Sequence, residues 1–443
     1  MRSLLIREEA EWEGDPPLAR MLRRGAPKRP AHPTPDPWRT GHFGSPLRHH
    51  AASVARFPGA RRGWFAPRPQ RRTTSVLFRH LESLTWSFAS GKDSIYPIYV
   101  YSEPYETAHG TVYTPRLAAE SGMEGLACVD DVARAALLAT LAYEQTSDPH
   151  AAGLARRWLI FAHYMQLDDG RFTNFVVDRA GQRNLHGATS FPGGPWWTAR
   201  ALWALAAAYR VFGSRRALTA LSRCPMPAPE TPGELKTRAV LALAGVEILR
   251  SHAPTAVRAL WRRRVRRWCD ALVRAAQDRP YVPDQPGEEG AALWGYHQLH
   301  ALASAAMALR VSAYLEVAER TVWGLVRPVL AGNFYYAYPD DRANQCAYCV
   351  TPLVQGLAQL YRATGSGRYL TLPLRPSEWF AGANDSSAVM YDAESGRCFD
   401  GLTGMHVSRN CGAESSIEAG LAELERRALA APLAQPRRAE LTL

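Results

Sequence analysis

Two kinds of helical segment alternate along the chain from residue 129 onward. The first kind has apolar residues on nearly every face and occurs six times, at residues 129–144, 195–213, 233–250, 293–309, 346–365 and 413–428. A helix that is apolar all round must be surrounded by protein. Most segments between them carry Arg or Glu on one face, which predicts helices that meet water. Inner and outer helices therefore alternate, with a period of roughly 40 to 65 residues.

Six such pairs can close into a ring, so the sequence predicts an all-α (α/α)6 toroid. In a closed ring the inner helices run parallel, and the loops before their N-termini form one cleft. Those loops are rich in Gly, Pro and aromatic residues. A superhelical solenoid shows the same alternation but would not need such unequal loops on one side. Residues 388–402 contain two β-like runs around Glu394, Ser395 and Gly396, which predicts a small β-hairpin near the cleft.

The basic character of the chain belongs to its N-terminal segment. Residues 1–75 contain 15 Lys and Arg against 6 Asp and Glu, which leaves only +3 of the net charge of +12 for the remaining residues. The segment is dense in Pro, Arg and Gly without periodicity, which predicts disorder. We expect a tail at 1–75, the toroid at 76–430 and a second tail at 431–443, with no nucleic acid bound through the folded domain. The basic tail could alternatively contact RNA or lipid, or be an extension that the working protein does not need.

Apolar runs and motifs exclude several other classes of protein. The longest apolar run, at residues 201–209, is too short to span a bilayer, and the first residues lack the apolar core of a secretory signal. These features predict a cytoplasmic protein without a membrane span. The sequence contains no P-loop, no dinucleotide-binding fingerprint and no GxSxG motif, and no cofactor is expected.

Seven cysteines are scattered through the sequence. An odd, dispersed set is unlike a disulfide framework, so reduced thiols are expected. Cys346 and Cys349 have the spacing of half a zinc site, and Cys128 and Cys411 precede neighbouring inner helices. Since no second CxxC or HxxxH pair completes a ligand set, buried free thiols are preferred to a metal site.

Carboxylates stand at the beginnings of three predicted inner helices. Asp130 and Asp131 open the first, Asp340 and Asp341 lie in the loop before the fifth and Glu414 opens the sixth, and these helices are consecutive in a closed ring. Hydrolysis of a glycosidic bond needs one protonated carboxyl and one ionised carboxylate a few ångströms apart. Each acid also has a structural alternative, because aspartates at N-caps, acids in first turns and acids in loops are common. The second-choice acids, all on loops, are Asp169, Asp284, Glu288 and Glu289.

Aromatic and polar residues at the same face form a candidate sugar-binding surface. Flat apolar sugar faces stack on aromatic rings, while polar side chains bind the hydroxyls. The predicted binding residues are Trp196, Trp197, Trp294, Tyr296, His297, Arg171, Asn174, Tyr336 and Asn410. Each ring could instead pack the rim of the toroid, and His297 and His300 could be hydrogen-bonded core histidines.

Three stretches carry a resemblance to a known superfamily. The segments DGRFTNF, GGPWWTARALWALA and NCGAESSIEAGLAEL, together with the six inner helices, make residues of about 95 to 425 resemble the six-hairpin glycosidase superfamily. Within it, CVDDVARA looks like the DD-x-ARA segment of bacterial toroidal domains that are labelled glycosidase-like and are sometimes attached to glycosyltransferases. The resemblance implies an acidic cleft that binds carbohydrate. The superfamily also includes sugar epimerases and has neighbours among polysaccharide lyases.

These observations predict a protein that acts on a carbohydrate, as a glycoside hydrolase with paired carboxylates. Helix N-termini favour ionised carboxylates, so Asp131 is predicted to be the base or nucleophile and Asp130 to orient it. Glu414 or Asp341 is then the acid. The alternatives are a non-catalytic toroid that binds glycan or accompanies a glycosyltransferase, a sugar epimerase, and a polysaccharide lyase.

Overall fold

The computed structural model describes residues 74–116, 125–226, 235–286, 290–338 and 341–434. Among these residues the first helix begins at Ser75 and the last ends at Ala434, so almost all of both predicted tails lies outside the described residues. Disorder of these tails therefore stays a prediction.

Thirteen α-helices make up most of the described chain. They are α1 (Ser75–Leu84), α2 (Val129–Thr146), α3 (Pro149–Tyr164), α4 (Pro195–Phe212), α5 (Arg215–Arg223), α6 (Leu235–Leu249), α7 (Thr255–Ala275), α8 (Gln298–Leu309), α9 (Ser312–Thr321), α10 (Arg327–Gly332), α11 (Ala347–Thr364), α12 (Leu374–Ser377) and α13 (Ala413–Ala434). A π-helical turn at Val322–Val326 joins α9 to α10, and 3₁₀ turns occupy Gly367–Tyr369 and Glu378–Ala381. No helix among the described residues is both long and apolar enough to cross a membrane.

The six predicted inner helices form a closed ring. Helices α2, α4, α6, α8, α11 and α13 contact one another in this order, and α13 contacts α2. Each has an outer partner: α3, α5, α7, α9 and α12 pack on the first five, and α1 packs on α13. The predicted all-α (α/α)6 toroid is therefore confirmed. The N-terminal helix α1 supplies the sixth outer position, which the sequence had left open.

Burial follows the apolar patterns of the two helix classes. Outer helix α7 buries one stripe, and the spacing of Trp261, Val265, Trp268 and Leu272 by three or four residues turns these side chains towards the ring. Inner helix α4 is instead buried at every position from Trp196 to Ala208. The helices of the inner layer are thus enclosed by protein on all sides, as their composition predicted.

Glycines let neighbouring inner helices approach closely. A Cβ atom on Gly420 of α13 would lie 2.7 Å from Cδ2 of Leu138 in α2, where the ring closes. At the contact of α11 with α8, a Cβ on Gly356 would lie 2.8 Å from Cγ of Leu299. Both separations are shorter than carbon atoms tolerate, so these glycines offset their cost in helix propensity by permitting close packing.

Short strands occupy the connections between helices. They are β1 (Phe88–Ser90), β2 (Asp93–Ile95), β3 (Ser102–Thr107), β4 (Gly110–Pro115), β5 (Ala127–Cys128), β6 (Phe175–Val176), β7 (Tyr336–Tyr338), β8 (Asp341–Cys346), β9 (Tyr391–Asp392), β10 (Arg397–Cys398), β11 (Gly401–Thr403) and β12 (His406–Ser408). The predicted hairpin is confirmed as β9 and β10. Strands β7, β8, β11 and β12 form an antiparallel sheet in the order β12-β11-β8-β7. Asp341, predicted to lie in a loop, is in β8, where its backbone pairs with Tyr338.

Candidate functional site

Four carboxylates surround the buried guanidinium of Arg134. Its Nη2 donates to Asp131 Oδ1 at 2.6 Å and to Glu414 Oε2 at 2.9 Å, and its Nη1 donates to Glu418 Oε1 at 2.8 Å. Its Nε lies 3.3 Å from Asp130 Oδ1. The acids come from α2 and α13, the two helices that close the ring. We call Asp130, Asp131, Glu414 and Glu418 the carboxylate cluster.

Two members of the cluster approach one nitrogen atom. Because Asp131 Oδ1 and Glu414 Oε2 both bind Nη2 of Arg134, these oxygens can be no farther apart than the sum of 2.6 and 2.9 Å. The side chains differ in exposure: Asp131 and Glu418 are 5% and 1% exposed, whereas Asp130 and Glu414 are 14% and 29% exposed. The cluster therefore has a buried pair and a pair that reaches solvent.

A second buried arginine extends the site to other inner helices. Arg200 of α4 places its Nε 3.6 Å from Asp130 Oδ1 and its Nη1 3.3 Å from His297 Nε2, just before α8. Its guanidinium carbon lies 4.8 Å from the ring centre of Tyr348 on α11 and 4.8 Å from that of Trp196. These contacts connect α2, α4, α8 and α11.

Aromatic rings line the site beside the arginines. Trp196 stacks on Trp294 with ring centres 5.5 Å apart, and Trp294 meets Tyr348 edge-on at 5.0 Å. Lys236, in the first turn of α6, donates to the carbonyl of Trp294 at 3.1 Å and lies 3.4 Å from Asp284. With these contacts the beginnings of all six inner helices meet, so their N-termini lie at the same end of the ring.

The start of α2 explains how both aspartates enter the site. The N-cap is Cys128, whose Sγ accepts from the amide of Asp131 at 3.4 Å, so neither aspartate caps the helix. Asn174 reinforces this start, because its carbonyl accepts from Val129 and its Oδ1 accepts from the amide of Asp130. Arg134 follows at i+3 and i+4 from the aspartates, the spacing that brings side chains together on one helical face. The structural alternative for Asp130, an N-cap, is therefore not the one that the structure shows.

The cluster contains more carboxyls than there are arginines beside it. Four ionised carboxylates beside two arginines would leave two uncompensated negative charges in a largely buried site. Burial, opposed by Arg134, raises the pKa of Asp131 to about 7, and burial likewise raises the pKa of Glu418 to about 7. Neutral pH is thus compatible with protonated and ionised carboxyls side by side.

His297 stays uncharged in this site. Burial and the neighbouring Arg200 lower its pKa well below the ordinary value for histidine. A neutral imidazole accepts at one nitrogen, and Nε2 faces the guanidinium of Arg200, so Nδ1 carries the proton. His297 therefore presents an N–H group to its surroundings.

Several buried polar atoms around the two arginines have no hydrogen-bond partner among the described residues. They include Arg200 Nη2, His297 Nδ1, Tyr348 Oη, Trp196 Nε1 and Glu418 Oε2. Buried polar groups are normally hydrogen-bonded. These atoms are therefore donors and acceptors that remain free to bind a polar ligand.

The architecture is similar to that of several solved structures whose names describe sugar-acting enzymes. The sequence matches no family model and no curated protein. A sugar epimerase from a ruminal bacterium superposes with a TM-score of 0.56 at 12% identity, over 79% of this chain and 96% of that one. Cellobiose 2-epimerase from Spirochaeta thermophila gives 0.53 at 15% identity, over 70% and 87%. A family 76 glycoside hydrolase from a bovine Bacteroides thetaiotaomicron strain gives 0.51 at 12% identity, over 80% and 76%.

The chain shares the (α/α)6 toroid fold with these solved structures. The resemblance inferred from the inner helices and the CVDDVARA stretch is thereby confirmed at the level of the fold.

The structure brings six of the predicted site residues together. They are Asp130, Asp131, Glu414, Trp196, Trp294 and His297. The predicted acid Asp341 cannot be placed against them, because its side chain lies outside the described part of the molecule, as do Asp340, Glu288 and Glu289.

Three other predicted binding residues make internal hydrogen bonds. Asn174 holds the start of α2 and donates through Nδ2 to the carbonyl of Thr189. Trp197 donates through Nε1 to the carbonyl of Phe172, and Tyr296, fully buried, donates its hydroxyl to the carbonyl of Val282. Their described hydrogen bonds support the connections around the site. Direct binding by these residues stays a prediction.

The remaining predicted residues are not among those described in contact with Arg134 or Arg200. Arg171 is half-exposed and paired with Asp169 at 2.6 Å. The Tyr336 ring stacks on Phe334 with centres 6.0 Å apart, and the Asn410 carbonyl accepts from the amide of Asp400. A role in binding an extended ligand stays a prediction for these three.

Sequence reasoning did not identify Arg134, Arg200, Glu418 or Tyr348. Charged residues inside helices that are otherwise apolar were the available signal, because a buried charge needs a partner. Glu418 also follows Glu414 by four residues, which places both acids on one face of α13. Asp400 is a further buried acid nearby: it accepts from Ser415 and the amide of Gly412, and burial raises its pKa to about 6.

Two glutamates on α13 should have opposite effects on the pH dependence of stability. Burial raises the pKa of Glu418 from 4.5 to about 7, so the native state binds this proton more tightly and stability falls as pH rises through that interval. Burial also opposes ionisation of Glu423, but hydrogen bonds from Arg426 and Arg427 outweigh it and lower the pKa of Glu423.

Glu418→Gln should therefore raise the free energy of unfolding at pH 8 by on the order of 2 kcal/mol, with little change at pH 4. Glu423→Gln should lower it at pH 8, and the difference from wild type should shrink as pH falls. Urea denaturation of both variants across this range provides the measurement. If the free energy of unfolding changed with pH in the same way in both variants, the opposite pKa shifts of Glu418 and Glu423 would be contradicted.

Proposed function

We propose that the protein is a glycoside hydrolase whose active site is the carboxylate cluster. The observation that carries the proposal is the set of carboxyls from α2 and α13 gathered on Arg134, with two of their pKa values raised to about 7. Glycoside hydrolysis needs a carboxyl that donates a proton and a carboxylate that attacks or activates water. The coarser statement, action on a carbohydrate, is supported by the fold.

Because its pKa is raised, Asp131 is better suited to the role of general acid than to the role of base, which its position at a helix N-terminus predicted. Glu414, more exposed and on the facing helix, is then the nucleophile. Carboxyls about 5 Å apart fit retention of anomeric configuration, whereas inverting enzymes need a wider separation for the attacking water. The close approach of Asp131 and Glu414 on one arginine nitrogen supports the retaining alternative.

Substrate contacts follow from the aromatic and unpartnered polar groups. The stacked pair Trp196 and Trp294 offers flat surfaces for a sugar ring. Arg200 Nη2, His297 Nδ1 and Tyr348 Oη supply hydrogen-bonding groups for its hydroxyls.

The finer proposal of a cytoplasmic location is supported by seven free thiols, since disulfides are rare in that compartment.

The test is hydrolysis of a glycan panel by the full chain. Released reducing ends measure activity, and NMR of the first product reports its anomeric configuration, expected to be retained. Asp93→Asn, an exposed carboxylate on β2, is the matched control and should leave the rate unchanged. Binding of a glycan without turnover would favour the non-catalytic toroid instead.

A sugar epimerase is the second candidate. It is favoured by the neutral His297 beside Arg200, and two of the similar solved structures are named as epimerases. Epimerisation next to a carbonyl needs a neutral base that removes a proton from carbon, and a cation that stabilises the resulting oxyanion. The guanidinium of Arg200 fits the second role, and the imidazole fits the first only when a substrate displaces Arg200 from Nε2, because Nδ1 carries the proton.

Exchange with solvent separates the two reactions. Cellobiose and mannobiose incubated with the protein in D2O should gain deuterium at C2 if epimerisation occurs, because the abstracted proton exchanges. Hydrolysis leaves that carbon unlabelled. Mass spectrometry detects the label, and deuterium incorporation without cleavage would replace the hydrolase proposal by the epimerase.

A further inference from the structure

Cys346 and Cys349 are a pair of thiols in contact beside the carboxylate cluster. Their Sγ atoms are 3.3 Å apart, and they are the only two of the seven cysteines, all within the described residues, whose sulfurs lie within hydrogen-bond distance. The described residues contain no group of three or more His, Cys, Asp or Glu that could hold a metal ion.

The local backbone produces this contact. Cys346 ends β8 and is the N-cap of α11 with extended φ and ψ of −143° and 166°, while Cys349 lies in the first turn. An N-cap side chain folds back over the first turn towards the third helical residue, which here is Cys349. A disulfide bond requires about 2.05 Å between sulfurs, so the thiols must approach by only about 1.2 Å.

We propose that Cys346 and Cys349 form a reversible dithiol–disulfide site in the wall of the carboxylate cluster, oxidised by a small hydroperoxide. This modification site does not depend on which sugar reaction the protein catalyses. Disulfides that form in reducing compartments are usually transient and catalytic or redox-sensing.

The order of the two steps follows from exposure. Cys346 is 7% exposed and Cys349 is fully buried, so the peroxide reaches Cys346 first. The Cys346 thiolate attacks the peroxide oxygen, becomes a sulfenic acid and releases water or an alcohol. The Cys349 thiol then displaces the sulfenic hydroxyl as a second water. Two thiols thus lose two electrons and two protons, and one hydroperoxide is reduced. The pKa of Cys346 is raised by the hydrogen bond with Cys349 and by burial, which makes the first step slow at neutral pH and faster at higher pH.

Oxidation should alter the site through Tyr348, which lies between the two cysteines in sequence. Its ring centre is 4.7 Å from the guanidinium carbon of Arg134, 4.8 Å from that of Arg200 and 5.0 Å from the ring centre of Trp294. Closing the disulfide tightens the turn that carries Tyr348. The packing of Tyr348 against both arginines and Trp294 changes as a consequence.

Thiol counting on the full chain tests the modification. Reduced protein is treated with hydrogen peroxide, denatured and alkylated with N-ethylmaleimide, and its intact mass is measured. Oxidised protein should carry two labels fewer than reduced protein, dithiothreitol should restore them, and peptide mapping should join Cys346 to Cys349. Full labelling after peroxide treatment, irreversible sulfinic acid, or a disulfide between other cysteines would overturn the proposal.

Serine variants and fluorescence test the link to the site. Cys349→Ser should lose the disulfide and accumulate a sulfenic acid that dimedone traps, while Cys269→Ser, on outer helix α7, should still lose two labels. Tryptophan fluorescence should change on oxidation of wild type and of Cys269→Ser, but not of Cys349→Ser. If the fluorescence of wild type is unchanged on oxidation, the disulfide does not alter the packing of Tyr348 and Trp294. The proposed link to the site then fails.

Discussion

Arg134→Met should lower the free energy of unfolding at pH 8 by about 3–5 kcal/mol, because it leaves buried carboxylates without their cation. Arg134 is the contact shared by all four acids of the carboxylate cluster, and its side chain is 2% exposed. Methionine fills much of the same volume, so the loss would report charge rather than packing. Urea denaturation at several pH values is the measurement.

The pH dependence identifies the cause of that loss. The carboxyls of Asp131 and Glu418 gain protons below about pH 7, and a protonated carboxyl does not need the guanidinium. The effect of Arg134→Met should therefore be smaller at pH 5 than at pH 8. Arg216→Met provides the control, because its exposed ion pair with Asp93 should contribute no more than about 1 kcal/mol. A loss that is constant across pH would point to packing instead.

The ring could be predicted from sequence because burial leaves a local trace. Inner helices are enclosed on all sides, so α4 and α8 are almost continuously apolar, and outer helices such as α7 retain one polar face. The pairing of α1 with α13 was not predicted because the two helices lie at opposite ends of the chain. No local pattern reports a pairing at that distance.

Only part of the candidate site could be predicted for a related reason. Asp130, Asp131 and Glu414 were found because helix starts are visible in sequence, and helix starts face the open end of a toroid. The partners Arg134 and Arg200 stand inside apolar segments, where a charge gives no indication of what it contacts. The change in the role proposed for Asp131, from base to acid, depends on its burial and on its distance to Arg134. Only the folded chain supplies both.

Substitution of the proposed acid should have the largest effect on catalysis. Asp131→Asn should lower kcat on the substrate found in the glycan panel by about 10²- to 10⁴-fold, the usual contribution of a general acid. Glu414→Gln should remove the nucleophile and cause a comparable loss. Azide should restore activity to Glu414→Ala with a substrate whose leaving group needs no acid, since a small anion can occupy the space of the missing carboxylate.

The pH profile of kcat/KM distinguishes an acid from a residue that only maintains the fold. A general acid must be protonated, so wild-type activity should decline as pH rises past about 7, where the carboxyl of Asp131 loses its proton. The asparagine in Asp131→Asn has no proton to lose in this range. Its residual activity should therefore lack the decline above pH 7, whereas Asp93→Asn should keep it. A variant that retained both full activity and the alkaline decline would assign the proton to another carboxyl of the cluster, with Glu418 the first to examine, because burial raises its pKa to the same value.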